Sequence, residues 1–266
     1  MMNKKVWKAA ALLLAGSAIL ISAGCGGNAA SSQSSGKKKI TVAVEASYAP
    51  FEYKDEKGHI IGFDVDLMKA VAEKMNAEPE FNNMPFDQIF PAVGEKKMNL
   101  GISAIGATEK RAQYVAFSDP YYSLGSYVIV VRPGQDIHGA ADLEGKAVAA
   151  QKGTTNEDKA KSLKAGKLVL PDYYEDVFKA VENGEAEAAI VDEPGAQYYM
   201  SHQGAGKLTT AGTIPTDEQF VIIMAKEDKA MQKEVNEALK KIMSDGTYDK
   251  LAQKWFFNKA ADEGKK

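Results

Sequence analysis

Four polar side chains lie where a predicted strand gives way to the next helix or loop, a position suited to binding small charged molecules. Arg111 falls in the first turn of a helix that Thr108 caps, and a guanidinium clamps a carboxylate through two parallel hydrogen bonds. Thr154 and Thr155 begin a second helix, whose free N–H groups attract anions. Asp192 ends a strand and offers its carboxylate to an ammonium group. Together these side chains predict a site for a zwitterion. Taken alone, Arg111 could equally be a surface residue, and Asp192 could equally be a loop residue or a helix cap.

The strands and helices that must position these side chains alternate along the chain. Two such series, of roughly ninety residues each, predict an α/β protein with parallel sheets and helices on both faces. In such sheets ligands bind beyond the carboxyl ends of the strands, which here are Glu45, Ser103 with Ala104, Gln151 and Asp192. The β-rich runs cover residues 40–44, 99–103, 126–132, 146–150, 168–170, 188–191 and 220–225.

Helical spacing of apolar residues marks the helices between these strands. In the first helix Val65, Met68 and Ala72 recur on one face, and we predict that Asp64 caps its N-terminus. The last long helix covers residues 228–244 and turns inward Met231, Val235, Leu239 and Ile242.

The N-terminal segment carries the pattern of an export signal. Lysines at positions 4, 5 and 8 precede an apolar run, after which small residues lead to Cys25, the single cysteine. We predict a lipoprotein signal peptide over residues 1–24, lipidation of Cys25, and a flexible polar tether over residues 25–39. Ser22 stands where a lipobox usually has a large aliphatic residue, and an ordinary cleavage site is kept as an alternative. A transmembrane anchor is a second alternative, although the apolar run is barely long enough to span a bilayer.

Charge and metal-ligand content exclude several classes of partner. The whole chain has a formal net charge of −3, and the residues after position 39 hold 27 basic and 36 acidic side chains. Because nucleic acid requires clustered positive charge, we exclude it as a partner. The histidines at positions 59, 138 and 202 are far apart, so we predict neither a metal site nor a cofactor.

Six short sequence motifs occur in the chain, each once. They are residues 45–52 (EASYAPFE), 62–67 (GFDVDL), 108–111 (TEKR), 117–121 (FSDPY), 153–155 (GTT) and 245–248 (DGTY). In these motifs the chain resembles, over about residues 40–257, the family 3 solute-binding proteins, which are the polar amino-acid receptors of ABC importers.

The resemblance implies a type II periplasmic-binding-protein fold, with two doubly wound lobes of mostly parallel sheets. Lobe 1 would comprise residues 40–122 and 221–260, and lobe 2 residues 123–220, joined by crossover segments near residues 121–125 and 217–222. The protein would be a monomer outside the cytoplasm, lipid-anchored to the membrane, that closes around a free amino acid and delivers it to an ABC permease.

The resemblance also assigns roles to residues around the ligand. Arg111 would bind the α-carboxylate, helped by the backbone at Ser103, Ala104 and Thr155. Asp192 would bind the α-ammonium. The family usually has a Ser or Thr hydroxyl at the position of Gly106, so one side-chain contact is lost there while the N–H group stays available.

By the same resemblance, Glu45, Tyr48, Phe86 and Gln151 would form the pocket for the ligand's side chain. Facing aromatic rings favour a guanidinium, and Glu45 would supply the opposing charge. The motifs are most similar to those of arginine-binding members, so arginine is predicted first, followed by lysine, histidine and ornithine. Glutamine is the alternative ligand, because Gln151 offers an amide partner. Tyr48 and Phe86 could also be ordinary aromatic residues of the core with no contact to a ligand.

Two other functions fit a chain with these features. One is an enzyme on the same fold, similar to cyclohexadienyl dehydratase, in which Glu45 or Asp192 carries a proton. The other is a sensory or adhesive surface lipoprotein that serves no importer. An Arg111–Asp192 pair suits an amino acid that stays bound, so a binding protein without catalysis is the principal prediction.

Overall fold

The computed structural model describes residues 36–257. The predicted signal peptide, Cys25 and most of the predicted tether lie outside the described residues. Between positions 36 and 257, no helix has the length and apolar content needed to cross a bilayer.

The strands and helices alternate, as predicted. The strands are β1 (Lys38–Val44), β2 (Ser47–Tyr48), β3 (Glu52–Lys54), β4 (Ile60–Ile61), β5 (Ala77–Asn83), β6 (Leu100–Gly101), β7 (Val115–Phe117), β8 (Tyr122–Ser123), β9 (Ser126–Val131), β10 (Ala147–Ala149), β11 (Lys167–Val169), β12 (Ala188–Asp192), β13 (Thr209–Pro215), β14 (Gln219–Phe220) and β15 (Ile223–Ala225). The α-helices are α1 (Phe63–Lys74), α2 (Phe86–Gly94), α3 (Glu109–Ala112), α4 (Thr155–Ser162), α5 (Tyr174–Glu182), α6 (Glu193–Ser201), α7 (Lys229–Ser244) and α8 (Thr247–Ala252). A 3-10 turn covers Ala140–Leu143, and a π-helical turn covers Gln253–Phe257.

Most strands belong to two five-stranded sheets, which form the centres of two lobes. The first sheet has the order β5-β1-β6-β15-β7, and the second has the order β11-β10-β12-β9-β13. In the first, β1 runs parallel to β5 and β6, whereas β15 is antiparallel to β6 and β7. In the second, β10 runs parallel to β11 and β12, whereas β9 is antiparallel to β12 and β13.

Both sheets are therefore mixed, and the prediction of mostly parallel pairing holds only for the strands joined through helices. Strands β9 and β15 come directly from the short strands β8 and β14. They enter their sheets from the edge at which the parallel strands end, and so they run in the opposite direction.

The chain passes between the two sheets twice, through β8 and β14, which pair with each other in an antiparallel ribbon. Among the strands described up to residue 257, β15 alone belongs to the first sheet and follows the second sheet in the chain, and the later helices α7 and α8 pack against α1. Strands and helices from both ends of the described chain thus contribute to the first sheet and its surroundings, while the exact division into lobes stays a prediction.

The starts of α7 and α1 are capped in different ways. The Asp228 carboxylate accepts a hydrogen bond from the Met231 N–H at 3.0 Å and caps α7. The predicted capping role of Asp64 was wrong, because the N-cap of α1 is Gly62. Gly62 has a φ of 135°, and an added Cβ would lie 2.0 Å from the Phe51 carbonyl oxygen, so only glycine fits there. Asp64 lies within the first turn and is fully buried.

Candidate functional site

A small buried cavity lies where the strands of both sheets end. Glu45 follows β1, Gln151 lies two residues beyond β10, and Asp192 is the last residue of β12. The cavity measures about 20 Å³, which is room for roughly one water-sized group. It is lined by the predicted residues Glu45, Tyr48, Phe86, Ser103, Ala104, Gly106, Arg111, Gln151, Thr155 and Asp192. The structure thus brings the whole predicted set together, while their roles in ligand binding stay predictions.

Arg111 spans the cavity from α3 and contacts both lobes. Thr108 caps this short helix by accepting a hydrogen bond from the Arg111 N–H at 3.2 Å, as predicted. One guanidinium nitrogen donates to the Gly106 carbonyl at 2.7 Å, and the other donates to the Gly153 carbonyl at 3.1 Å. The guanidinium carbon lies 5.2 Å from the centre of the Phe86 ring, which provides a cation–π contact. Burial lowers the pKa of Arg111, although the neighbouring carboxylates oppose this effect.

Asp192 faces the cavity from the second lobe and is buried. Its carboxylate accepts hydrogen bonds from the Tyr48 hydroxyl at 2.8 Å and from the Asn156 amide at 3.0 Å. Burial raises the pKa of Asp192 to about 7, and the negative charge of Glu218 adds to this rise. A cation placed beside Asp192 would reverse the shift, so the carboxyl is suited to receive an ammonium group.

Glu45 and Gln151 join the two lobes at the other end of the cavity. The Gln151 amide donates to a Glu45 carboxylate oxygen at 3.0 Å and to the Asp172 backbone carbonyl at 3.0 Å. The second Glu45 oxygen is buried without a hydrogen-bond partner among the described residues. Burial raises the pKa of Glu45 to about 7. Because an unpaired buried carboxylate oxygen is costly, it marks a place for a donor or a cation.

The aromatic rings have partners other than those expected. Tyr48 stacks on Tyr174, with ring centroids 4.0 Å apart, whereas Phe86 lies against Arg111. A ligand side chain held between Tyr48 and Phe86 stays a prediction, and Tyr174 joins the aromatic wall.

A second pair of acids supports the loop after β6. Glu52 accepts a hydrogen bond from the Ser103 hydroxyl at 2.8 Å, and Asp64 accepts one from the Ala104 N–H at 2.8 Å. The Tyr121 hydroxyl also donates to Asp64, at 2.7 Å. Burial raises the pKa of Asp64 to about 6 and raises that of Glu52 well above its usual range. These bonds hold Ala104 in a left-handed conformation with a φ of 44°, which is unusual for a residue other than glycine.

Gly106 provides space for a carboxylate. A Cβ added at Gly106 would lie 1.6 Å from a carboxylate oxygen of Glu218. That carboxylate accepts a hydrogen bond from the Thr155 hydroxyl at 3.0 Å and another from the Tyr127 hydroxyl at 2.6 Å. The position that lacks the expected hydroxyl is therefore filled by an acidic side chain from the second crossover.

Several residues that line the cavity are not among the ligand-binding residues predicted from the sequence. None of them lies at the carboxyl end of a strand. Thr154, which caps α4 by accepting from the Glu157 N–H at 3.3 Å, was predicted as a helix start that attracts anions, but not as a residue that contacts the ligand. The residues outside the predicted set are Glu52, Thr154, Asn156, Tyr174 and Glu218.

A larger groove, of about 850 Å³, opens between the β2–β4 hairpin and helices α5 and α6. Its walls include Tyr53, Phe178 and Trp255, and it shares Tyr174 with the small cavity. The opposed buried charges lie in the smaller cavity, so the candidate site is placed there.

Two lobes that enclose buried groups of opposite charge are the arrangement of a protein that binds a small charged solute between its lobes. The model of the bacterial extracellular solute-binding proteins, family 3, matches residues 40–258. The chain therefore belongs to this extracytoplasmic family, as the sequence motifs predicted.

Individual relatives agree with this assignment. A probable histidine-binding protein of Neisseria gonorrhoeae is 33% identical over 270 residues, covering 99% of this chain and 100% of the relative. The arginine-binding extracellular protein ArtP of Bacillus subtilis is 32% identical, covering 92% and 96% of the two chains. An ancestral arginine-binding protein bound to glutamine superimposes with a TM-score of 0.79 and 35% identity, covering 84% of this chain and 99% of that chain. These relatives are binding proteins, and this chain is likewise a binding protein rather than an enzyme.

Proposed function

We propose that the protein is the amino-acid receptor of an ABC importer and captures a basic L-amino acid by closure of its two lobes. Arginine is the first expected ligand, followed by lysine, histidine and ornithine. The observation that carries the proposal is the arrangement of one buried guanidinium, Arg111, opposite the buried carboxyls of Asp192 and Glu45 in one cavity. The names of the arginine- and histidine-binding relatives support it.

The two ends of the cavity match the two charges of an amino acid. Arg111 can exchange its hydrogen bonds with the Gly106 and Gly153 carbonyls for bonds to an α-carboxylate. Thr155, at the start of α4, adds a hydroxyl and the positive end of a helix dipole. Asp192 would pair with the α-ammonium.

The side-chain pocket favours a cation. Glu45 has a buried carboxylate oxygen without a partner among the described residues, and a guanidinium or ammonium group would satisfy it. Glutamine is the second candidate, since a structural relative is bound to glutamine. The Gln151 amide already donates two hydrogen bonds, however, and a neutral ligand would leave the charge of Glu45 without a counter-ion.

Delivery of the amino acid to a membrane transporter would require two lobes, a hinge, a membrane anchor and a permease. Lobe 1 would comprise residues 40–122 and 221–260 and lobe 2 residues 123–220, a division supported by the separation of the strands into two sheets. The paired strands β8 and β14 would form the hinge. Cys25 would carry the lipid anchor after removal of residues 1–24, and the closed monomer would dock on an ABC permease.

Calorimetric titration with arginine tests the proposal. Arg111→Ala or Asp192→Ala should abolish measurable binding while the protein stays folded by circular dichroism. Lys110→Ala is the matched control, because it removes an exposed positive charge next to Arg111. Unchanged affinity in Arg111→Ala or Asp192→Ala would refute the assignment, and mass spectrometry of the ligand that co-purifies would distinguish arginine from glutamine.

A further inference from the structure

Glu218 lies in the second crossover, directly before β14, and its backbone is fixed on both sides. Its carbonyl accepts a hydrogen bond from the Leu124 N–H of the first crossover at 2.9 Å. Its own N–H donates to the Thr216 hydroxyl at 3.2 Å. The half-buried side chain therefore starts from the hinge and points to the cavity.

The Glu218 carboxylate has the partners that a ligand carboxylate would seek. Both of its oxygens lie 3.0 Å from the Thr155 hydroxyl oxygen, at the N-terminal end of α4. The Tyr127 hydroxyl donates to one of them at 2.6 Å. A carboxylate at this end of a helix is favoured by the helix dipole.

This placement depends on Gly106. The backbone of Gly106 does not have a positive φ, so its conformation suits any residue and only space limits the side chain. A Cβ there would approach the Glu218 carboxylate oxygen to 1.6 Å, and any side chain at this position would therefore expel the carboxylate. The carbonyl of the same Gly106 binds Arg111, so the carboxylate and the guanidinium flank one residue.

We propose that Glu218 is an internal carboxylate that occupies the α-carboxylate subsite, and that the α-carboxylate of the amino acid displaces it on binding. The inference rests on the proposed function, which assigns Arg111 and Thr155 to the α-carboxylate. The Thr155 hydroxyl has one proton to donate, and two carboxylates at one place repel each other. Glu218 thus sets the affinity for the α-carboxylate end of the ligand and leaves the recognition of its side chain unchanged.

Titrations with arginine and with agmatine, which is arginine without its α-carboxylate, test this competition. Glu218→Gln should bind arginine about tenfold more tightly than the wild type, since the repelling charge is gone. Its affinity for agmatine should change no more than in Asp217→Asn, which removes an exposed neighbouring charge. Weaker arginine binding in Glu218→Gln would show that Glu218 helps to hold the ligand and would overturn the proposal, as would an equal gain for agmatine.

Gly106→Ser provides a second, independent variant, because its side chain would force the carboxylate away and supply a hydroxyl. It should also tighten arginine binding, and Glu218→Gln added to it should give little further gain. Fully additive effects would contradict a shared site. Arginine binding of unchanged affinity in Glu218→Gln refutes this inference alone, whereas no amino-acid binding by the wild type or the variants refutes the proposed function and the inference with it.

Discussion

Binding of arginine is expected to release protons from two buried carboxyls, Glu45 and Asp192. Burial raises the pKa of each to about 7. At about pH 6 each group is therefore roughly nine-tenths protonated, and a cation that pairs with the ionised form must expel the proton. The two groups together should release close to two protons per ligand at about pH 6 and few at about pH 8.

The same shifts set the pH dependence of affinity. If the bound ligand returns both pKa values to the ordinary range, affinity should rise about tenfold per group between about pH 6 and pH 8. The combined gain is about a hundredfold, or roughly 2.7 kcal/mol. Arginine keeps both of its positive charges in this range, so the change belongs to the protein.

Calorimetry in buffers with different ionisation enthalpies measures both quantities at once. Asp192→Asn should bind more weakly and should keep only the proton release of Glu45, so that its affinity changes about tenfold over the same range. An affinity that is constant from about pH 6 to pH 8 would show that ligand binding does not change the protonation of either carboxyl, and this would refute the reasoning.

The remaining predictions concern packing, specificity and stability. Gly195→Ala should lower the free energy of unfolding by about 1–3 kcal/mol in a denaturant titration, because its Cβ would lie 2.4 Å from the Tyr174 hydroxyl. Gly139→Ala is the control and should be near neutral, since a Cβ there meets no atom of residues 36–257 within 4 Å. Glu45→Gln should weaken arginine binding by about tenfold or more and change the affinity for glutamine by no more than a few-fold, as measured by competition. An equal loss of affinity for both ligands would show that Glu45 does not select between them. Asp228→Ala should lower the free energy of unfolding by about 1 kcal/mol through loss of the cap of α7, and an unchanged melting temperature would contradict that role.

Much of the site was predictable because strand ends are constrained by topology. Once the strands are recognised, Glu45, Gln151 and Asp192 are placed at or just beyond the carboxyl ends of strands, where ligands bind in such sheets. Arg111 was predictable from the cap at Thr108, which fixes the start of its helix. Local patterns therefore sufficed for residues whose positions depend on a single element.

The residues that escaped prediction depend on contacts between distant segments. Glu218 has no periodic pattern around it, and its position beside Gly106 follows from the pairing of two crossovers. Asp64 fits a helix cap by sequence, yet the close approach of Phe51 requires glycine at position 62 as the cap and turns the aspartate inward. Strand β13 contains a glycine and a proline and has no buried residue, so its sequence lacks the apolar pattern by which the other strands were recognised.

The position of β15 between β6 and β7 has a consequence for the order in which the molecule assembles. All strands of the second sheet lie between Ser126 and Pro215, so that sheet can be completed while the end of the chain is still being delivered. The first sheet starts at Lys38, but its edge strand β7 has no neighbour in the sheet until Ile223–Ala225 is inserted between β6 and β7. The first sheet thus begins first in the chain but is completed last. A fragment that stops before residue 223 should contain a complete second sheet and a first sheet that is not yet able to fold.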